Sequence, residues 1–158
     1  MRKFLLIFLF CFLIEFISYA ASNSSYTFVP GKGITGLVYI ENTLEAAVSV
    51  MGKSATSYEA KKSTHYVFPK YRLELLVRGG VVEGIIIKSP YYASQEGIKV
   101  GSTLDNVVSA YGSVYSTLSG DSSAAKNIFY IEKGIAFDIV NNKVVKIYLV
   151  KANTPFNY

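Results

Sequence analysis

The sequence predicts an α+β fold in which short helices pack on one face of an antiparallel sheet of about six strands. Three observations predict it. A stretch with helical periodicity and a glycine stop occurs twice. Each occurrence is followed by runs of alternating polarity, and tight-turn residues punctuate those runs at matching intervals.

The helical stretches are LVYIENTLEAAVSVMG, from Leu37 to Gly52, and GIKVGSTLDNVVSAYG, from Gly97 to Gly112. Thr43 aligns with Thr103, Leu44 with Leu104, Glu45 with Asp105, Val48 with Val108 and Gly52 with Gly112. Asn42 and Ser102 are the expected caps, because Glu45 and Asp105 stand three positions later at the capping-box spacing. Leu44, Ala47, Val48 and Met51 fall at i, i+3, i+4 and i+7, as do Leu104, Val107, Val108 and Tyr111. Each helix therefore has one apolar face. Gly52 and Gly112 end helices of about nine residues.

The strands follow. HYVFPKYRLELLVRGGVVEGIIIKSP (His65 to Pro90) aligns with NIFYIEKGIAFDIVNNKVVKIYLVKA (Asn127 to Ala152). Two residues are gained in the second copy after its helix. Each copy reads as three strands, with Gly79-Gly80 and Asn141-Asn142 as residue types that tolerate positive φ in tight turns. In the last hairpin, a three-residue loop of Asn141, Asn142 and Lys143 sets Val140 opposite Val144, Phe137 opposite Ile147 and Asp138 opposite Lys146. It gathers Ile135, Phe137, Ile139, Val145, Ile147 and Leu149 on one side and Ala136, Asp138, Lys146 and Tyr148 on the other. In the first copy Leu73, Leu75, Val77, Ile85 and Ile87 face inward, while Arg72, Glu74, Leu76, Arg78 and Ile86 face outward. Glu83 lands on the inner side and is expected to escape at the edge.

The chain thus reads as a tandem duplication of an α-β-β-β unit, each unit too small to bury its apolar face comfortably alone. Residues 1–20 form an export signal, 21–36 a linker, 37–90 the first unit, 91–96 a second linker, 97–150 the second unit and 151–158 a tail. On GSTLDNVVSAYG, the hairpin KGIAFDIVNNKVVKIYLV and the duplication, the chain resembles the exported β-lactamase-inhibitor-protein-like modules and the related small lipoproteins of outer-membrane assembly. Those families carry two helices per unit, and the inhibitors carry disulfides. The resemblance implies a shared fold and an exported binding role, with no target or contact residue transferred.

The opening, MRKFLLIFLFCFLIEFISYAAS, has Arg2 and Lys3 ahead of an apolar run from Phe4 to Ile17 and the small-residue pattern Ser18-Tyr19-Ala20. Cleavage after Ala20 is expected, because the run is shorter than the roughly 20 residues a membrane span needs. Cys11, the only cysteine, lies inside the apolar run and not behind it, which argues against lipidation. The exported chain then has no disulfide, thiol nucleophile or thiolate metal site. It keeps 14 basic and 10 acidic residues, a net charge of +4 spread without a basic block, which speaks against nucleic acid as a partner.

No catalytic set is visible. His65, the one histidine, stands at a predicted strand start and reads as a partly exposed strand-edge residue without a partner. No serine sits in a G-x-S-x-G elbow, and Gly31-Lys32-Gly33 lacks the spacing of a phosphate loop. No cofactor or metal is expected. The outer sheet face, with Arg72, Leu76, Arg78, Ile86, Asp138, Val140, Lys146 and Tyr148, mixes charge with exposed apolar and aromatic groups, the composition of an interface. The expected function is therefore a non-catalytic, exported protein–protein interaction module, with an inhibitor-like or envelope-assembly role. The partner would be a protein in the envelope or outside the cell. The alternative is a periplasmic or secreted carrier of a small apolar ligand or lipid between helices and sheet, suggested by runs such as VVEGIII.

Overall fold

The structure is a computed structural model that describes residues 26–119 and 125–156; the expected export signal over residues 1–20, with Cys11, lies outside them. Twelve strands and two helices follow in the order β1 (Tyr26–Val29), β2 (Gly33–Ile34), β3 (Val38–Tyr39), α1 (Leu44–Met51), β4 (Thr56–Ala60), β5 (Ser63–Phe68), β6 (Leu73–Arg78), β7 (Val81–Ile87), β8 (Tyr92–Ser94), α2 (Leu104–Tyr111), β9 (Ser116–Ser119), β10 (Ala125–Tyr130), β11 (Ile135–Val140) and β12 (Lys143–Val150). They form an eight-stranded sheet, β4-β5-β6-β7-β12-β11-β10-β9, and a four-stranded sheet, β3-β2-β1-β8.

The expected six-strand α+β arrangement is corrected: the chain is mostly β, in two sheets, with a parallel pair between β1 and β8. The missed strands are the ones without an apolar alternation to betray them. TSYEA in β4 is exposed along nearly its whole length, and STLS in β9 is polar. Each helix is consequently followed by four antiparallel strands instead of three. Thr56 pairs with Val67 and Ser116 with Phe129, so the two extra residues fall between Ser119 and Ala125. β1 and β8 arise from stretches the sequence reading treats as connectors, and they carry Phe28 and Tyr92 into the core.

Both helices are eight residues long, and their caps, Thr43 and Thr103, lie one residue later than the expected Asn42 and Ser102. The Thr43 hydroxyl accepts from the Ala46 amide, and Thr103 forms a capping box with Asn106. Asn42 and Ser102 instead accept from the Tyr39 and Lys99 amides and tighten the entering turns. Each helix start is also tied to a hairpin: Leu44 N–H donates to Gly80 and Val82 N–H to Asn42, and in the second half Val144 N–H donates to Ser102.

Those hairpins close by a different route from the one expected. Val140 pairs with Lys143 across a two-residue turn of Asn141 and Asn142, both at positive φ (48° and 61°). The Asp138–Lys146 and Phe137–Ile147 pairs stand as expected, because a bulge at Val145 absorbs the shift. Val145, expected inside, is turned outward by it. Glu83 occupies the same bulge position in the β6–β7 hairpin, where it pairs with Arg78 at 3.1 Å.

Inward-facing rows cross the large sheet, one of them running Phe68, Leu73, Ile87, Ile147, Phe137 and Ile128. These side chains, Phe28 and Tyr92 of the small sheet, and Ala47, Met51, Val107 and Tyr111 of the helices form one core. Helices and small sheet therefore cover one face of the large sheet. The apolar run VVEGIII is accounted for here: Val82, Ile85 and Ile87 belong to that core.

Candidate site on the outer face of the large sheet

The opposite face carries a continuous row across all eight strands: Thr56, Val67, Glu74, Ile86, Tyr148, Ala136, Phe129 and Ser116. The row is symmetric in position about the Ile86–Tyr148 pair, where the halves meet. Its chemistry is not symmetric. Glu74 in the first half stands where the second half has Ala136.

Glu74 is only 2% exposed. Its carboxylate accepts from three strands: from the Tyr58 hydroxyl on β4, from His65 Nδ1 on β5 at 2.6 Å, and from the Lys88 ammonium just beyond β7. Burial alone raises its pKa, but the hydrogen bonds from Lys88, Tyr58 and His65 outweigh it and hold the group down at about 2. The same bond to Glu74, helped by burial, pushes the Tyr58 phenol up to about 12. The Tyr58 ring lies against the His65 ring, centroids 4.9 Å apart. His65 is thus a buried and partnered residue, correcting the partly exposed edge histidine. A three-donor carboxylate held ionised at neutral pH is a fixed anchor for its neighbours and is poorly suited to carry protons.

The second half builds a smaller cluster with related parts. Asn127 donates to Asp138 at 2.5 Å, Tyr148 donates to it at 2.7 Å, and the Lys146 ammonium lies 3.6 Å away. Burial, with the Asp138 bond next, pushes the Tyr148 phenol above its ordinary range. Asp138 stands directly opposite Asn127, so a short side chain suffices. Glu74 sits two pairs along from the His65–Leu76 pair, on the same face, and the longer side chain reaches diagonally.

Of the residues expected on a partner surface, Asp138, Lys146 and Tyr148 come together in that second cluster. Leu76 (1% exposed) and Ile86 (6% exposed) are on the expected face but buried, outside the main core. Arg72 is exposed at φ 52°, and Val140 is exposed near the hairpin end. Arg78 is exposed and tied down by Glu83 and by the Lys62 carbonyl. Sequence reasoning missed His65, Glu74 and Lys88 as a unit. The available signal was an acid in the middle of an outward-facing strand row, but Tyr58 lay in an unrecognised strand. Among the described residues no group of three His, Cys, Asp or Glu side chains could hold a metal, and no helix is long and apolar enough to cross a membrane.

No protein-family model and no curated protein matches the sequence. Solved structures do share the fold. The uncharacterised protein yfeY from Escherichia coli superposes with a TM-score of 0.53 at 14% identity, over 79% of this chain and all of that one. An extracellular protein containing a SCP domain from Bacillus anthracis superposes with a TM-score of 0.51 at 10% identity, over 72% of this chain and 44% of that one. A cysteine-rich secretory protein from Staphylococcus aureus matches at a TM-score of 0.48 and 12% identity, over 78% of this chain and 48% of that one. At these identities the likeness is one of fold.

Proposed function

We infer that the protein is an exported, non-catalytic interaction module and that the outer face of the eight-stranded sheet docks a protein partner. The carrying observation is the buried ionic cluster around Glu74. A buried ion pair is a weak source of stability, since desolvating the charges offsets much of their attraction. Ala136 in the matching place indicates that the strand arrangement does not itself require an acid there. The cluster does fix Tyr58, His65 and Lys88 in one arrangement beside Ile86 and Tyr148, which suits a preorganised docking surface. Exposed Arg72, Lys88 and Val140 would form its rim.

Export is supported by the charged-then-apolar opening of the sequence, and the extracellular protein with which the fold is shared agrees with it. An inhibitor-like role and an envelope-assembly role both fit such a module.

The test is a photo-crosslinking residue placed at Arg72 or Val140 on the outer face, or at Glu45 or Asp105 on the exposed helix side, in the native cells. Capture of one protein from the first two positions only is expected, and Arg72→Glu should weaken that capture. Capture from the helix side alone, or from none of the four, would refute the reading. Ile86 is unsuitable as a probe because its burial makes an acidic substitution there a folding defect.

A further inference from the structure

A second feature is confined to the other half. A cleft of about 540 Å³ opens between the end of α2, the start of β9 and the turn after β10, lined by Tyr111, Val114, Tyr115, Phe129, Tyr130 and Glu132 among others. Its size falls in the ordinary range for small-ligand sites. The first half has smaller groups in the matching places: Met51 for Tyr111, Ser54 for Val114, Ala55 for Tyr115, Val67 for Phe129 and Phe68 for Tyr130. The same strand arrangement forms there without the extra rings. Val114 is 90% exposed, so it contributes nothing to the core.

Three tyrosine rings meet at steep angles, Tyr111 against Tyr130 at 53° and Tyr115 against Tyr130 at 57°, each pair with 5.6 Å between centroids. Two of their hydroxyls are committed within the protein: Tyr130 donates to the Gly112 carbonyl at 2.7 Å and Tyr111 to Glu96 at 3.2 Å. Those two rings belong to the core, and they back the partly exposed rings of Tyr115 and Phe129 that face the cleft. The Tyr115 hydroxyl and the Glu132 carboxylate make no hydrogen bond to another described residue, and Tyr115 is only partly buried. Lys133 also lines the cleft, so its charge opposes that of Glu132.

We propose that this cleft binds a neutral saccharide. A sugar ring has one apolar face, which suits the partly exposed rings of Tyr115 and Phe129, and a rim of hydroxyls, which suits the Glu132 carboxylate and the Tyr115 phenol. Glu132 and Lys133 bring opposite charges to the cleft, so its lining offers no net charge to favour an anion or an organic cation. A purely apolar tail would leave the Glu132 carboxylate desolvated and unpaired, at a cost.

The test is titration of the isotope-labelled protein with chitotriose, cellotriose and maltotriose, followed through its amide resonances, with choline and a proline octapeptide as contrasts. At least one trisaccharide should move the amides of residues 112–116 and 131–133 saturably. Tyr115→Ala should weaken that binding by about tenfold, the order of one aromatic stacking contact. It installs the residue the first half carries at Ala55, so the fold is expected to tolerate it. Glu132→Gln, at an exposed position, should weaken the binding as well. The proposal fails if no trisaccharide binds, if the shifts lie elsewhere, if neither substitution matters, or if only choline or the peptide binds.

Discussion

Ile86 on β7 and Tyr148 on β12 face each other across the seam where the two halves of the large sheet join. Every other pair in their row has its counterpart at the same distance from this seam. Only there do the two ionic clusters approach, because the Tyr148 phenol is bonded to Asp138 and also feels the charge of Glu74.

The Glu74 carboxyl has its pKa held down to about 2 in the folded chain, below the ordinary carboxylate value. Its stabilising contribution is complete above the unfolded value and is lost as pH falls through about 5 toward 2. A shift of this size corresponds to about 3 kcal/mol. Urea melts of the protein should show stability declining over that window, and Glu74→Gln should flatten much of the decline while lowering stability at pH 7.

Removing the Tyr148 hydroxyl leaves Asp138 with Asn127 and Lys146 as partners. Tyr148→Phe should therefore cost only about 1 kcal/mol in chemical denaturation. Ile86→Asp should cost more than about 3 kcal/mol, since it buries a second carboxylate next to Glu74. Equal losses would mean that Ile86 is not packed as described.

Gly134 has φ 67°, and a Cβ there would lie 2.3 Å from the Val150 carbonyl oxygen and 2.8 Å from the Ala152 nitrogen. Gly134→Ala should lower stability by about 3 kcal/mol or more in thermal or urea melts. Gly79 also has positive φ, 57°, but no atom lies within 4 Å of its missing Cβ. Gly79→Asn copies the matching Asn141 and should change stability by no more than about 0.5 kcal/mol, whereas Gly79→Val should cost about 1–2 kcal/mol.

The helices were legible because period 3.6 and a glycine stop are local properties: Ala47, Met51, Val107 and Tyr111 are buried as their spacing predicts. The inward sets Leu73, Leu75, Val77 and Ile135, Phe137, Ile139 were legible for the same reason at period two. The hairpin turns were half legible. Asn141-Asn142 named the turn, but a bulge trades one loop residue for one strand residue, and polarity does not register that exchange until Val145 is seen outside. Of the site, the sequence showed the outward side of the later strands, including Asp138, Lys146 and Tyr148.

By itself, then, the sequence determined which residues of the helices and the apolar strands point to the core, because alternation and helical period are imposed by each element's own backbone. Tertiary structure alone decided that polar TSYEA and STLS become edge strands, that β1 pairs in parallel with β8, and that His65, Tyr58 and Lys88 converge on Glu74. Strand pairing brings together residues that are distant in sequence, and no local period records which strand will lie beside which.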